Sequence, residues 1–545
     1  MTDRFNLAEH LLEHNLAAGR EGKVALRWRD ENHTYLGLSE ASTRLGHAFT
    51  ELGLRMEERV LIVLSDRPEF SHAWFAALKC GAVFAMVNPL LTEEDFAYYL
   101  AYSRARIAVV DERLAPVFAR LAQHAPHLRA VVVCDGDGHL DAVPDAAAAP
   151  LGRHHERRPP QLQPGQHALT DLIRAAPDRP LMADTQRHDV AGWLFTSGST
   201  GKPKAAVHFH EDFAFNIEHY AKGVLGIRQD DVTAGVPKLF FGYATGTNLM
   251  FPFAVGATTA LFSERSTPAT VSDVVERYRP TILTSVPTMI GKMLADEQQT
   301  GGRDLSSLRL VLSAGEKLPE TLQTQWLART GVEILDGIGS AELFHIYISN
   351  RPGQVRVGSL GQAVPGYDCR VVDPQGQDVP RGQVGRLQVR GESAALCYWQ
   401  DHAKSKETFA GDLVITGDMF RQDEDGYFWY EGRADELLKV GGVWVSPNEI
   451  ENCLLEHEAV AEAAVVGWRD DDDLVKPKAF VVPAPAHRPA DGGARDALVA
   501  MLQQWVKTRL APWKYPRWID FEEDLPRNDR GKVDRKRLKA RQRAG

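Results

Sequence analysis

Short β-branched runs alternating with amphipathic helical stretches fill the first half of the chain and restrict its fold more than any other feature. Glu58-Arg-Val-Leu-Ile-Val-Leu reads as a strand, Glu69 to Lys79 as a helix and Ala105 to Asp111 as another strand; Val271 to Arg279 followed by Thr281 to Ser285 repeats the order. Parallel neighbours need long crossovers, so this order predicts parallel sheets wrapped by helices. Single cores stop growing near roughly 250 to 300 residues, so a chain of 545 residues divides into several. The fold class expected is α/β, a large N-terminal domain of parallel α/β subdomains plus a β-rich subdomain, with a small mobile α+β C-terminal domain.

Breaks in the pattern place the boundaries. Between about His139 and Asp178 periodicity gives way to Ala, Pro, Gly and His-rich stretches that read as a surface excursion; His154 and His155 stand there without the partners of a coordination set. From Asp368 the texture is short strands and turns, with Asp423-Glu-Asp-Gly-Tyr-Phe as a hairpin. After Gly432-Arg-Ala-Asp-Glu it becomes compact α+β: helix Pro447 to Glu456, strands Ala461 to Val466 and Lys478 to Val482, helix Arg495 to Arg509. The expected domains are therefore 1–434 and 435–545.

Sixty-three basic residues against 73 acidic ones leave a net charge of −10, which gives no global attraction to nucleic acid or anionic membrane. Five scattered cysteines without a CxxC pair indicate reduced thiols and a cytoplasmic setting. The N-terminus lacks the basic and apolar segments of a secretory signal. Leu239 to Ser263 carries no charge and is long enough to raise the question of a membrane span. Asn248, Pro252 and Gly256 instead divide it into helix-like and strand-like halves of a buried core, so no membrane insertion is expected. Oligomeric state stays open, a homodimer included.

Thr196-Ser197-Gly198-Ser199-Thr200-Gly201-Lys202-Pro203-Lys204 follows the apolar run Ala191-Gly-Trp-Leu-Phe. Glycines let backbone N–H groups approach phosphate oxygens, hydroxyls add donors, and Lys202 and Lys204 supply charge. A Walker A loop needs four residues between its glycines and Ser or Thr after the lysine; here Gly198 and Gly201 enclose two and Pro203 follows Lys202. By itself the string indicates a nucleotide phosphate, with a flexible surface turn as the alternative.

With this loop, the chain resembles the adenylate-forming superfamily of acyl-CoA synthetases, peptide-synthetase adenylation domains and luciferases. The likeness continues through Asp336-Gly-Ile-Gly-Ser-Ala-Glu342, Ile415-Thr-Gly-Asp418, Tyr430-Glu-Gly-Arg433-Ala-Asp435, Gly441-Gly442 and Pro526-Arg-Asn-Asp-Arg-Gly-Lys532. It implies ATP, Mg²⁺ and coenzyme A, with Glu342 and Thr200 at the metal; a lone Glu342 is otherwise solvated surface. It implies that Asp418 accepts from the ribose hydroxyls, with Arg433 beside it, and that Ala314-Gly315-Glu316 and Asp336-Gly337-Ile338 line the adenine. Lys532 is implied as the adenylation lysine, against the plain reading of a solvated basic tail shared with Arg527, Arg530, Arg535, Lys536 and Arg537. A C-terminal domain turning about Asp435 would bring Lys532 to the α-phosphate in one pose and Gly441 and Gly442 to the pantetheine tunnel in the other. Two positions depart from the pattern: Ala205 stands where Gly is common and Ala341 where Thr is common.

Within the superfamily, Lys238-Leu-Phe-Phe-Gly-Tyr243 and Gly337-Ile-Gly-Ser-Ala-Glu-Leu-Phe-His345-Ile-Tyr-Ile-Ser-Asn350 are similar to benzoate-type CoA ligases (benzoate, hydroxybenzoate or 2-aminobenzoate). By that likeness Tyr243, Ala314, Gly337, Ile338 and His345 border a flat acyl pocket, with His345 near the substrate carboxylate; the plain alternative is a satisfied core histidine. The implied activity is ATP-dependent aromatic acid:CoA ligation through an acyl-adenylate. Alternatives are a medium-chain fatty or alicyclic acyl-CoA ligase, a freestanding adenylation protein loading an acyl carrier, and a non-catalytic nucleotide-binding paralogue.

Overall fold

In the computed structural model the described residues are 4–135, 158–197, 202–300, 302–434, 438–440, 443–470, 474–527 and 533–543. They pack as two compact units: one of 1–318, 322–369 and 389–415, the other of 319–321, 370–388 and 416–545. Asp435 and the His154-His155 pair lie outside the described residues.

The first unit contains two sheets whose central strands are parallel. One runs Cys397–Tyr398, Pro203–Phe209, Val190–Ser197, Val83–Met86, Arg59–Val63, Ile107–Val110, Ala130–Val133 and Gln166–Ala168. The other runs Gln362–Ala363, Ile346–Ser349, Ile334–Gly339, Leu310–Ser313, Ile282–Ser285, Val232–Gly235, Thr258–Leu261, Val24–Trp28 and Glu31–Thr34. Strands such as Ile107–Val110 and Ala130–Val133 are buried throughout because helices cover both faces of a parallel sheet. Their continuous apolar runs follow from that burial.

Two expectations need correction. The excursion placed at 139–178 ends early: Gln166–Ala168 adds a parallel edge strand beside Ala130–Val133, and Leu169–Ala175 is helical. Pro252 does not split the uncharged segment, because it occupies the first turn of the helix Phe251–Val255, where a missing N–H is tolerated. The division falls at Gly256, left-handed at φ +74°, before the strand Thr258–Leu261. Among the described residues no helix is long and apolar enough to cross a membrane.

In the second unit, the part of the strand Leu413–Gln422 from Asp418 onward pairs with Phe428–Arg433 as the expected hairpin. Val460–Arg469 and Val475–Pro483 form an antiparallel pair, joined in parallel by Trp518–Phe521, a strand that the sequence pattern does not reveal. Helices Pro447–Leu455 and Gly492–Arg509 contribute Ile450, Leu454, Leu502 and Val506 to the core against them.

Gly361 has φ +87°, and a Cβ there would lie 2.0 Å from the Ser349 carbonyl oxygen and 2.1 Å from the Asn350 nitrogen. Backbone cannot yield as a side-chain tip can. Gly361→Ala is expected to cost more than about 3 kcal/mol, measured as a fall in the urea midpoint.

Candidate active site

Val190–Ser197 and Pro203–Phe209 pair antiparallel, with Thr196 opposite Lys204 and Ser197 opposite Pro203. The phosphate-loop string is thus the tip of a hairpin, and Gly198, Ser199, Thr200 and Gly201 lie outside the described residues. Both flanking lysines stand over aromatic rings: Lys202 Nζ is 5.2 Å from the Tyr98 centroid and Lys204 Nζ 4.3 Å from that of Tyr398. Burial lowers the pKa of Lys204 below the ordinary lysine value. Ala205 is fully buried; its N–H meets the Tyr102 hydroxyl at 3.3 Å and its carbonyl accepts from Trp399 N at 2.9 Å. Its methyl group belongs to the core under the hairpin.

Glu342 sits in a short helical turn, Ala341–Leu343, whose three carbonyls are held by His208 and by the segment carrying Ser393 and Ala395. His208 Nε2 lies 2.7 Å from the Ala341 oxygen, Ala395 N donates to that of Glu342 at 2.9 Å, and Ser393 Oγ to that of Leu343 at 3.0 Å. Since Nε2–H serves a carbonyl, the 2.8 Å contact of His208 Nδ1 with Asp212 Oδ2 shares one proton. Ser393 in turn is 2.7 Å from the Tyr367 hydroxyl, which accepts from Asn216 Nδ2 at 2.9 Å. Phe344 leaves the turn at φ +67°, ψ −58°, with His345 N donating to Leu343 O at 2.8 Å. This is a γ-turn of the rare, strained hand. The Ala341 methyl plays no part in holding the turn, which is gripped by its backbone.

One Glu342 oxygen, Oε1, accepts from the Tyr398 hydroxyl at 2.6 Å. No group of three or more potential metal-ligating side chains occurs among the described residues. A lone carboxylate fits the Mg²⁺ pattern, in which phosphate oxygens and water complete the shell.

His345 is buried against Tyr220, Tyr243 and Phe251, with ring centroids at 5.6, 5.3 and 4.8 Å. Its Nε2 donates to the Tyr243 carbonyl at 3.0 Å, while Nδ1 is buried without a partner among the described residues. Gly246 makes room for the ring, since a Cβ there would lie 2.4 Å from His345 Cδ2. Burial pushes the imidazole pKa down to about 4. The ring is therefore neutral near pH 7 and presents a lone pair at Nδ1. Tyr243 Oη is likewise buried without a hydrogen bond among the described residues, and burial holds the phenol well above its usual pKa.

Ala314 is buried at the end of the strand Leu310–Ser313, and Gly315 takes φ +89°. Glu316 accepts from Thr288 N at 3.2 Å and Thr288 Oγ1 at 2.7 Å, so its described contacts anchor a helix start. Gly337 lacks a side chain where a Cβ would lie 2.7 Å from the Ile348 oxygen; Ile338 pairs with Ile348 in the same ladder. Beside them burial pushes the Asp336 carboxyl up to about 8, and its Oδ1 has no partner among the described residues.

In the second unit, Asp418 and Arg433 are opposite each other in the hairpin, with Arg433 NH1 3.6 Å from Asp418 Oδ1. The guanidinium lies over Gly417, where a Cβ would meet NH2 at 2.5 Å. Gly441, Gly442 and Lys532 lie outside the described residues. The segment bearing Lys532 begins and ends at an Arg527–Val533 bridge, closed by Asp534 N donating to Pro526 O at 2.7 Å. Arg527 pairs with Glu462 at 2.6 Å and Arg535 with Glu451 at 2.9 Å. Two residues of the supposed solvated tail are thus structural anchors.

Sequence reasoning missed His208, Asp212, Asn216, Tyr367, Ser393 and Tyr398. Each meets its partner across a gap in sequence that local pattern does not encode, except His208 and Asp212, whose four-residue spacing was a readable signal. His345 has a measurable consequence for stability. Its folded pKa of about 4 lies below the ordinary 6.5, so the unfolded chain binds a proton there that the folded chain refuses. Stability from this group is present above pH 6.5 and lost as pH falls toward 4, by up to about 3 kcal/mol. His345→Gln is expected to flatten the pH 4 to 6.5 slope of unfolding free energy, read by urea titration at several pH values.

Comparison with known proteins shows the family to which the chain belongs. Residues 12–399 match the family described as AMP-binding enzyme, and 449–532 match the AMP-binding enzyme C-terminal domain. A benzoate–CoA ligase of Thauera aromatica is 43% identical over 540 residues, covering 99% of this chain and 96% of that protein. A 4-hydroxybenzoate–CoA/benzoate–CoA ligase of Rhodopseudomonas palustris is 37% identical, with 97% and 93% covered. A crystal structure of an anthranilate CoA ligase with anthranoyl-AMP superposes with a TM-score of 0.88 at 37% identity, covering 99% of this chain and 98% of that one. With both family models matched in order along it, the chain belongs to the AMP-binding enzyme family.

Proposed function

We propose that the protein is an AMP-forming ligase that joins an aromatic carboxylic acid of the benzoate, hydroxybenzoate or aminobenzoate type to coenzyme A. The observation that carries this reading is the strained turn that sets Glu342 two residues before Phe344 and three before His345. It joins a candidate metal carboxylate to the aromatic cluster around His345 in one element. The names of the relatives at 43% and 37% identity, and the anthranoyl-AMP held by the structural neighbour, support the aromatic acid.

In the first half-reaction the substrate carboxylate attacks the α-phosphate of ATP, and pyrophosphate leaves. Residues Thr196 to Lys204 would cradle the phosphates, with Lys202 and Lys204 offsetting charge. Mg²⁺, held by Glu342 and Thr200, would neutralise phosphate oxygens when bound. Asp336, with a buried oxygen lacking a donor, suits an amino group such as that of adenine, beside Ala314, Gly315, Glu316, Gly337 and Ile338. Asp418 would accept from the ribose hydroxyls, with Arg433 alongside, and Lys532 would stabilise charge developing at the α-phosphate. Tyr243, Ile338 and His345 would wall the acyl ring.

In the second half-reaction the thiol of coenzyme A attacks the acyl-adenylate carbonyl and AMP leaves. Residues 435–545 would turn about Asp435 between the two steps, bringing Gly441 and Gly442 to the thiol arm. The departures Ala205 and Ala341 do not argue for a non-catalytic protein: one is core and the other is held by its backbone.

Purified protein with ATP, Mg²⁺ and coenzyme A is expected to release pyrophosphate on a panel of benzoate and its hydroxy and amino derivatives; turnover on octanoate alone would refute the aromatic assignment. Acyl-adenylate formation without any acyl-CoA would refute coenzyme A as acceptor. Lys532→Ala is expected to lower adenylation by roughly 10²- to 10³-fold while largely sparing thioester formation from supplied acyl-adenylate. Equal loss of both steps, in single-turnover assays, would contradict the two-pose scheme.

A further inference from the structure

Tyr398 has no role in the reading above, yet it touches two of its charged groups. It belongs to the short strand Cys397–Tyr398, which pairs with the strand leaving the phosphate-loop hairpin, placing Tyr398 opposite Ala206. Its backbone N–H donates to Ser405 Oγ at 2.9 Å, and its ring packs on Phe409 with centroids 5.1 Å apart. The ring carries Lys204 Nζ on its face at 4.3 Å, and the hydroxyl donates to Glu342 Oε1 at 2.6 Å. Only 5% of the residue is exposed. A short O–H···O⁻ bond from a locked donor fixes a carboxylate's rotation. Glu342 Oε2 has no partner among the described residues.

We propose that Tyr398 is a positioning residue for the metal–nucleotide site. It holds Oε1 of Glu342 so that Oε2 is presented to the cation, and it ties that carboxylate to Lys204. This rests on the reading of Glu342 as a Mg²⁺ ligand. A freely rotating carboxylate would have to be ordered on binding; the tyrosine removes that step before the ligand arrives.

The test is Tyr398→Phe, which deletes the hydroxyl and keeps the ring beneath Lys204. Mn²⁺ serves as probe, its affinity for the enzyme–ATP complex read by electron paramagnetic resonance, with AMP affinity measured in parallel by calorimetry without metal. The variant is expected to weaken Mn²⁺ binding and raise KM for Mg·ATP, each roughly tenfold, with AMP affinity and thioester formation from supplied acyl-adenylate unchanged. Glu342→Gln separates the two readings. Intact Mn²⁺ affinity in Glu342→Gln would overturn the metal role of Glu342. Weakened affinity there but not in Tyr398→Phe would overturn the role of Tyr398 alone. In the Glu342→Gln background the tyrosine change is expected to add nothing. A Tyr398→Phe protein that does not fold, or that loses AMP binding equally, would make the residue structural and overturn the proposal.

Discussion

The grip on the carbonyls of Ala341, Glu342 and Leu343 is the constraint on which the rest of the site depends. Phe344 holds a backbone conformation that costs on the order of 1 to 3 kcal/mol, and a free chain would relax out of it. Hydrogen bonds from His208, Ala395 and Ser393, at about 1 kcal/mol net each, offset that strain. Asn216 and Tyr367 extend the support below Ser393, with Asn216 also donating to the Ile346 carbonyl at 2.9 Å. Relaxation at Phe344 would swing Glu342 and His345 apart, so both depend on polar groups far away in sequence.

The two sheets were legible because burial on both faces forces continuous apolar strands, and Ile107–Val110 or Ile282–Ser285 can be read directly from such runs. The second strand of the phosphate hairpin was not. Pro203 and Lys204 look like loop, and only their pairing with Ser197 and Thr196 makes them strand. Motif residues were found because their chemistry is local, whereas the groups that hold them were hidden because tertiary structure alone joins His208 to Ala341 or Tyr398 to Glu342. Ala205 shows the converse. In the sequence it stands only as a departure from a motif that commonly has Gly, yet the fold uses its methyl group as core.

The polar character of the site also differs from what residue types alone imply. A histidine beside a proposed carboxylate pocket invites an ion pair, but burial leaves His345 neutral with Nε2–H already committed to Tyr243. What it offers is an acceptor. Asp336 also has a buried oxygen, Oδ1, without a partner among the described residues. A ligand that supplies a donor to either atom gains a hydrogen bond there.

This division suits two reactions run on one acyl group. The groups proposed for the acyl wall and the turn carrying Glu342 belong to elements of the first unit, where strain and buried hydrogen bonds fix them. Groups assigned to one step only, Lys532 and the Gly441-Gly442 pair, belong to the second unit, where Arg527, Arg535 and the Arg527–Val533 bridge secure the ends of the lysine segment. A lysine fixed permanently among the phosphates would bind AMP and pyrophosphate as well as it binds the transition state, slowing their departure. In the proposed two-pose scheme, carrying it on a separate unit would let the charge be present for adenylation and absent for thioester formation.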